Sequence, residues 1–94
     1  MATRVPDEEA FAVILKGAAR IALVSDEEIA SAIRAYWTDA HNLAEGAGAA
    51  ALAAAMKDRS RLRGRKVGLV LSGGNIDFDL FQRWVAAPRK AVAA

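Results

Sequence analysis

The sequence predicts an α/β fold in which helices pack on a small, mainly parallel sheet. Short apolar runs at 21–24 and 67–71 have the length of buried strands, and segments with helical spacing lie before, between and after them. Both runs are continuously apolar, a pattern typical of strands that are covered on both faces. Because two strands alone are not stable, the helices must provide that cover.

The chain opens with a predicted helix of about residues 7–19. Pro6 near the first turn, and the carboxylates that follow it at the positive end of the helix dipole, favour a start here. Apolar side chains then recur at helical spacing. The run 21–24 comes next, and its short length favours a strand.

A second helix, of about residues 26–40, is predicted from a capping box. Ser25 and Glu28 stand three residues apart, so each side chain can accept a hydrogen bond from the other residue's backbone N–H. His41 then occupies the position of a residue at a helix end. It is the one histidine of the chain, which has no cysteine, so no metal site is predicted. The inner face of this helix should carry Ile29, Ile33, Tyr36 and Trp37.

The second half of the chain predicts a helix, a loop, a strand and a helix. Alanine-rich sequence predicts a helix that becomes regular after Gly48 and continues to about Asp58. A basic loop at 59–65 leads to the strand at 67–71. The last helix is expected at 77–85, with Asn75 or Asp77 as its cap.

The composition is that of one small α/β unit, 1–87, followed by a frayed tail at 88–94 that begins with Pro88. The absence of cysteine fits a cytoplasmic protein. The acidic start and the lack of an apolar stretch of about 20 residues predict neither a signal peptide nor a membrane span. The large side chains expected in the core are Phe11, Ile14, Leu15, Ile21, Leu23, Val24, Ile29, Ile33, Trp37, Leu52, Met56, Val67, Leu69, Leu71, Ile76, Phe78, Leu80, Phe81 and Trp84.

The second strand runs directly into Ser72-Gly73-Gly74-Asn75. Ligands of open α/β sheets tend to bind at such a junction between strand and helix. Its backbone N–H groups can surround an anion, and the Ser72 hydroxyl can meet a ligand. The alternative is a tight turn in which glycine has a positive φ and Asn75 caps the last helix. The local pattern alone favours the turn.

Glu45 precedes a run of glycine and alanine, 46–51. Small residues let a helix approach a cofactor or a sheet closely, and Glu45 would place a carboxylate beside that site. Close packing without a ligand explains the small residues equally well. Close packing does not, however, explain the charge of Glu45.

The basic segment 57–66 is interpreted as a solvated loop. Its cations suit the carboxyl end of a helix, and no aromatic side chain is interleaved to stack on bases. Neither nucleic acid nor a membrane is therefore expected as a partner.

Four segments together resemble a known family. In the order and at the separations found here, they resemble the C-terminal part of the serine/threonine dehydratases, the fold-type II pyridoxal-phosphate enzymes that include threonine ammonia-lyase. The resemblance extends over about residues 2–84 and implies a C-terminal fragment of the large domain of such an enzyme. The segments are ATRVPDEEAF, ALVSDEEIASAIR, NLAEGAGAAALAAA and VGLVLSGGNID.

The resemblance implies a cofactor-binding role for both small-residue motifs. Ser72 takes the place of the serine that hydrogen-bonds the pyridine nitrogen of pyridoxal 5'-phosphate in the family. Gly73, Gly74 and Asn75 would shape the wall of that pocket, and Glu45 would lie near it. A neutral hydroxyl does not hold the ring nitrogen protonated, so the ring is a weaker electron sink and β-elimination competes better with transamination.

The activity implied for the complete enzyme is β-elimination of L-threonine or L-serine to a 2-oxo acid and ammonia. The family's Schiff-base lysine and glycine-rich phosphate loop lie upstream of the part that this chain resembles. The chain alone is therefore expected to be inactive and to bind no cofactor, and no catalytic residue is assigned. None of its lysines stands in a matching motif: Lys16, Lys57, Lys66 and Lys90.

Surfaces that the rest of the family fold covers would be bare in this chain, which predicts a homo-oligomer or an N-terminal partner chain. The alternative function is a non-catalytic oligomerisation module or a small-molecule regulatory module.

Overall fold

The computed structural model describes residues 5–86, which form five helices and, within that range, no β-strand. The predicted tail at 88–94 and Pro88 lie outside the described residues. None of the helices in this range is long and apolar enough to cross a membrane. The helices are α1 (Glu8–Gly17), α2 (Asp26–Ala40), α3 (Gly46–Lys57), α4 (Arg59–Leu62) and α5 (Phe78–Ala86).

Helix α1 forms where it is predicted, but it packs against no other described helix. Asp7 caps it, accepting a hydrogen bond from the Ala10 backbone N–H at 3.1 Å. Its apolar side chains Phe11, Ile14 and Leu15 are 47%, 50% and 67% exposed. Their assignment to the core is therefore wrong for this structure, because no other helix of residues 5–86 covers them.

Helix α2 has the predicted bounds and the predicted capping box. The Glu28 N–H donates to the Ser25 hydroxyl at 3.1 Å, and the Ser25 N–H donates to the Glu28 carboxylate at 2.8 Å. His41 ends the helix in the left-handed conformation, with φ 56° and ψ 37°. Its expected place at a helix end is confirmed.

Helix α3 runs back alongside α2, so the two form an antiparallel pair. Lys57 at the end of α3 donates a hydrogen bond at 2.9 Å to the carbonyl of Leu23, just before α2 begins. The alanines between the helices allow close approach. The buried core is small and consists of Ile29, Ala32, Ile33, Ala44, Ala49, Ala53 and Phe81.

Helix α5 packs across α2 through Phe81, whose ring meets Trp37 edge to face with centroids 5.2 Å apart. Trp37 itself remains 44% exposed, so its expected burial is wrong. The buried side chain of Arg34 adds a polar link, donating from Nε and Nη2 to the carbonyl oxygen of Trp84 at 3.2 and 2.9 Å. These contacts fix the position of α5, the helix that follows the apolar run 67–71.

The structure differs from the sequence prediction in three larger respects. Helix α3 begins at Gly46, before the expected regular start. Helix α4 occupies part of the predicted basic loop. The runs 21–24 and 67–71 are irregular rather than strands, because no partner strand lies beside them among residues 5–86. The sheet thus remains a prediction.

The same cause exposes side chains that were expected in the core. A strand buries its residues only when neighbouring strands and covering helices are present. The exposed fractions are 71% for Ile21, 80% for Leu23, 45% for Val67 and 39% for Leu69. Phe78, the first residue of α5, was also expected in the core and is 66% exposed.

Candidate functional site

The segment Ser72–Asn75, which we call the glycine turn, packs against the start of α3. The backbone N–H of Glu45 donates a hydrogen bond to the carbonyl oxygen of Gly73 at 3.1 Å. The two motifs singled out in the sequence, far apart along the chain, therefore meet in the fold.

Steric contact explains the glycines at this junction. A methyl group on Gly48 would overlap the carbonyl oxygen of Gly73, and one on Gly73 would overlap the Glu45 carboxylate. On Gly74 it would lie 2.6 Å from the carbonyl oxygen of Leu43. Gly48 and Gly74 thus permit a close approach of two backbone segments, whereas the neighbour of Gly73 is the end of the Glu45 side chain.

The prediction that a glycine of this turn has a positive φ is wrong. Among the glycines of residues 5–86, Gly64 alone has one, at 76°. Of the two residues expected to cap the last helix, Asn75 forms no side-chain cap, and Asp77 is the residue that directly precedes the helix. The carbonyl of Asp77 accepts a hydrogen bond from the Phe81 N–H at 2.9 Å.

Polar groups of the glycine turn remain available to a ligand. Ser72 and Asn75 are exposed, and neither side chain forms a hydrogen bond with another described residue. The backbone N–H groups of Gly73, Gly74 and Asn75 also have no acceptor within residues 5–86. The turn therefore offers one hydroxyl and several backbone donors on its surface.

Glu45 is half-buried and occupies the position before the first residue of α3. Its side chain makes no capping hydrogen bond, so it does not neutralise the first N–H groups of the helix. Its carboxylate lies instead beside Gly73.

The opposite end of α3 carries a second cluster of charges. The guanidinium of Arg20 is paired with Asp58, and this hydrogen bond lowers the pKa of Asp58 below its ordinary value. Lys57 lies 3.7 Å from the Glu28 carboxylate. The hydrogen bond from the Ser25 backbone N–H lowers the pKa of Glu28, and Lys57 adds to the effect. These contacts hold residues 20–28 against α3 and are structural.

Sequence reasoning missed Arg34. Its side chain is only 7% exposed, and its Nη1 atom has no hydrogen-bond partner among the described residues. The sequence predicts that a cation on a helix face is solvated. The contact of Arg34 with Trp84, which is distant in sequence, is what reveals that its side chain is buried. Residues 5–86 contain no group of three or more histidine, cysteine, aspartate or glutamate side chains placed to hold a metal.

Comparison with known proteins identifies the family. A family model described as pyridoxal-phosphate dependent enzyme matches residues 1–73. The L-threonine ammonia-lyase of Thermotoga maritima is 37% identical over 83 residues, which cover 88% of this chain and 20% of that enzyme. The L-threonine ammonia-lyase of Geobacter sulfurreducens is 39% identical over 94 residues, covering 100% of this chain and 23% of the enzyme. No solved structure matches the chain.

The chain belongs to the fold-type II family of pyridoxal-phosphate-dependent enzymes. Relatives within this family include the serine racemase of Schizosaccharomyces pombe, which is 28% identical over 76 residues. The chain spans about a fifth of the length of the curated relatives it matches. Membership supports the α/β class, although the described residues show its helices alone.

Proposed function

We propose that this chain forms the part of a threonine or serine dehydratase that faces the ring of pyridoxal 5'-phosphate. The complete enzyme would convert L-threonine or L-serine into a 2-oxo acid and ammonia. The observation that carries the proposal is the hydrogen bond between Glu45 and Gly73, because it joins the two motifs for which the family resemblance implies a cofactor role.

The chemistry of the glycine turn fits this cofactor. A hydroxyl can donate a hydrogen bond to an unprotonated ring nitrogen, and Ser72 carries an exposed hydroxyl with no partner among residues 5–86. Gly73 and Gly74 present no side chain that would keep a flat ring away from the backbone. The Glu45 carboxylate beside Gly73 gives that wall a negative edge.

The cofactor, when bound, supplies the electron sink that makes the α-proton of an amino acid acidic. Ser72 would orient the ring through its nitrogen without adding charge to it. A carboxylate in its place would favour a protonated nitrogen and a stronger sink. The neutral hydroxyl therefore suits loss of the β-hydroxyl more than amino-group transfer.

The names of the relatives support the substrate class, since those from Thermotoga maritima and Geobacter sulfurreducens are L-threonine ammonia-lyases. No lysine of this chain is assigned to the cofactor aldehyde, and no segment of it to the cofactor phosphate. We therefore propose that activity requires the rest of the family fold and that the chain alone is inactive.

A chimera tests the proposal. This chain would replace the matching 83 residues of the Thermotoga maritima enzyme, and 2-oxo acid formation from L-threonine would be measured with cofactor absorption. Ser72→Ala should lower kcat at least about tenfold and shift the cofactor absorption, because the ring nitrogen loses its partner. Ser60→Ala, an exposed serine in α4, is the matched control.

Two results would contradict the cofactor role. One is a chimera whose rate and spectrum respond equally to Ser72→Ala and Ser60→Ala. The other is a cofactor absorption band in the isolated chain that is insensitive to Ser72→Ala, since this would place any binding elsewhere.

A non-catalytic oligomerisation module is the second candidate. The bare apolar side of α1 favours it, because Phe11, Ile14 and Leu15 pack on no other described helix. A discrete oligomer by light scattering, with no cofactor spectrum in either the chain or the chimera, would support this alternative.

A further inference from the structure

The position of the Ser72 hydroxyl depends on the backbone of the glycine turn. Its side chain is exposed and forms no hydrogen bond with another residue in the range 5–86, so no neighbouring side chain holds it in place. The two ends of the turn are held by Leu71 and Ile76, which both pack against the buried core. The contacts made by the middle of the turn, at Gly73 and Gly74, therefore decide where the hydroxyl lies.

Two backbone contacts enclose the middle of the turn. A methyl group on Gly48 would overlap the carbonyl oxygen of Gly73 and lie 3.1 Å from its amide nitrogen. A methyl group on Gly74 would lie 2.6 Å from the carbonyl oxygen of Leu43. Non-bonded heavy atoms pack at about 3.5–4 Å, so either methyl group would displace the turn by about 1 Å.

Gly48 is buried in the first turn of α3, beneath Gly73, and does not face a bound molecule. Any effect on a ligand must pass through Gly73, the residue that follows Ser72. The position is surrounded by alanines, and alanine would also give the more stable helix. What glycine provides here instead is room for the Gly73 peptide.

We infer that Gly48 and Gly74 are positioning residues for Ser72. The room that they leave lets the glycine turn lie at one distance from the start of α3, and this distance sets where the hydroxyl meets the ring nitrogen of the cofactor. A hydrogen bond of this kind is lost beyond about 3.5 Å, so a displacement of about 1 Å is enough to break it. The inference rests on the proposed function and deepens it, because it names residues that act through Ser72.

A purely structural role for the two glycines makes a different prediction. Loss of packing would weaken the protein whether or not position 72 carries a hydroxyl. An effect that passes through the hydroxyl must instead disappear once the hydroxyl has been removed. A double-mutant cycle between Gly48 and Ser72 separates the two roles, because it measures how far one substitution depends on the other.

The cycle is measured in the Thermotoga maritima chimera with L-threonine. Gly48→Ala should lower kcat at least about tenfold and change KM less than about threefold, because the hydroxyl acts on the ring and not on the amino acid. It should shift the cofactor absorption in the same direction as Ser72→Ala. In the double variant, Gly48→Ala should lower kcat less than about twofold beyond Ser72→Ala.

Gly46→Ala is the matched control, since it makes the same change in the same helix. Its methyl group would lie 3.8 Å from Ile29, in ordinary contact, and the glycine turn is not its neighbour. It should leave both kcat and the cofactor absorption unchanged. Gly74→Ala is the second variant, because it displaces the turn from the side of Leu43 and enters the same cycle if Gly48→Ala does not fold.

Nuclear magnetic resonance of the isolated chain gives a measurement without cofactor. The backbone amide signals of Ser72 and Gly73 should move further in Gly48→Ala than in Gly46→Ala, because the turn itself is displaced. Four results would each overturn the inference: unmoved amide signals, an unchanged cofactor absorption in both glycine variants, independent effects in the double variant, or failure of both glycine variants to fold in the chimera.

The two proposals fail in different ways. If Ser72→Ala leaves the rate and the absorption unchanged, the cofactor role is rejected. If Ser72→Ala changes both, while Gly48→Ala changes neither or adds its full effect in the double variant, the cofactor role stands and the positioning role is rejected.

Discussion

The backbone N–H of Glu45 lies 3.1 Å from the carbonyl oxygen of Gly73 and donates a hydrogen bond to it. One helical turn further on, Gly48 packs against the same peptide so closely that no side chain fits between them. The glycine turn is thus fixed to α3 at two points. Its position depends on the small residues of the helix as much as on its own glycines.

Gly48→Ala should displace the glycine turn. The added methyl group would overlap the backbone of Gly73, which cannot rotate away as a side chain can. We therefore expect a loss of about 1–3 kcal/mol in the free energy of unfolding. Gly46→Ala is the control, since a methyl group there would lie 3.8 Å from Ile29 in ordinary contact. Urea denaturation measures both variants. Equal stability of the two would show that the turn is not held at Gly48.

Ser72→Ala should leave the stability of the isolated chain within about 0.5 kcal/mol of the parent. Its side chain is exposed and forms no hydrogen bond with another residue in the range 5–86, so folding loses nothing with it. Thermal denaturation provides the measurement. A large loss of stability would mean that the hydroxyl serves the fold, and the cofactor role would lose its support.

The capping box should make stability depend on pH in the acid range. The lowered pKa of Glu28 means that the folded state favours its carboxylate, so the contribution is complete above the unfolded pKa of about 4.3 and is lost as pH falls through the lower folded value. Glu28→Gln should flatten the fall in melting temperature between about pH 5 and pH 3. Glu9→Gln is the control, since the Glu9 side chain is exposed and forms no hydrogen bond with another residue in the range 5–86. Identical slopes for the two variants would contradict the assignment.

Arg34→Lys should loosen the end of α5. A lysine keeps the charge but cannot donate two hydrogen bonds in the planar geometry of a guanidinium, so we expect a loss of about 1–2 kcal/mol. Amides of α5 should exchange faster, whereas those of α3 should not. Arg83→Lys, at an exposed position of α5, is the control. Unchanged exchange in α5 would show that the Trp84 contact does not hold the helix.

Local signals allowed the helices to be predicted closely. The Ser25 and Glu28 pair placed the start of α2 correctly, because a capping box is completed within a few residues. The start of α3 was misplaced, since its glycines have low helix propensity and the contact of Gly48 with Gly73 involves a segment distant in sequence. Arg34 was missed for a similar reason: its partner, Trp84, is distant in sequence.

The candidate site was predictable in its residues but not in its geometry. Ser72 and Glu45 were selected from their motifs, and their role toward a cofactor remains a proposal. The sequence could not show why Gly73 lacks a side chain. Positive φ was expected, and contact with the Glu45 carboxylate was found.

The sequence by itself determined the starts of α1 and α2, the family and the apolar character of 67–71, because these depend on neighbouring residues or on motifs read in order. Tertiary structure alone decided that the glycine turn rests on α3 and that 67–71 has no partner within residues 5–86. The physical reason is that helix hydrogen bonds close within a few residues, whereas a strand and a close backbone contact each require a distant segment.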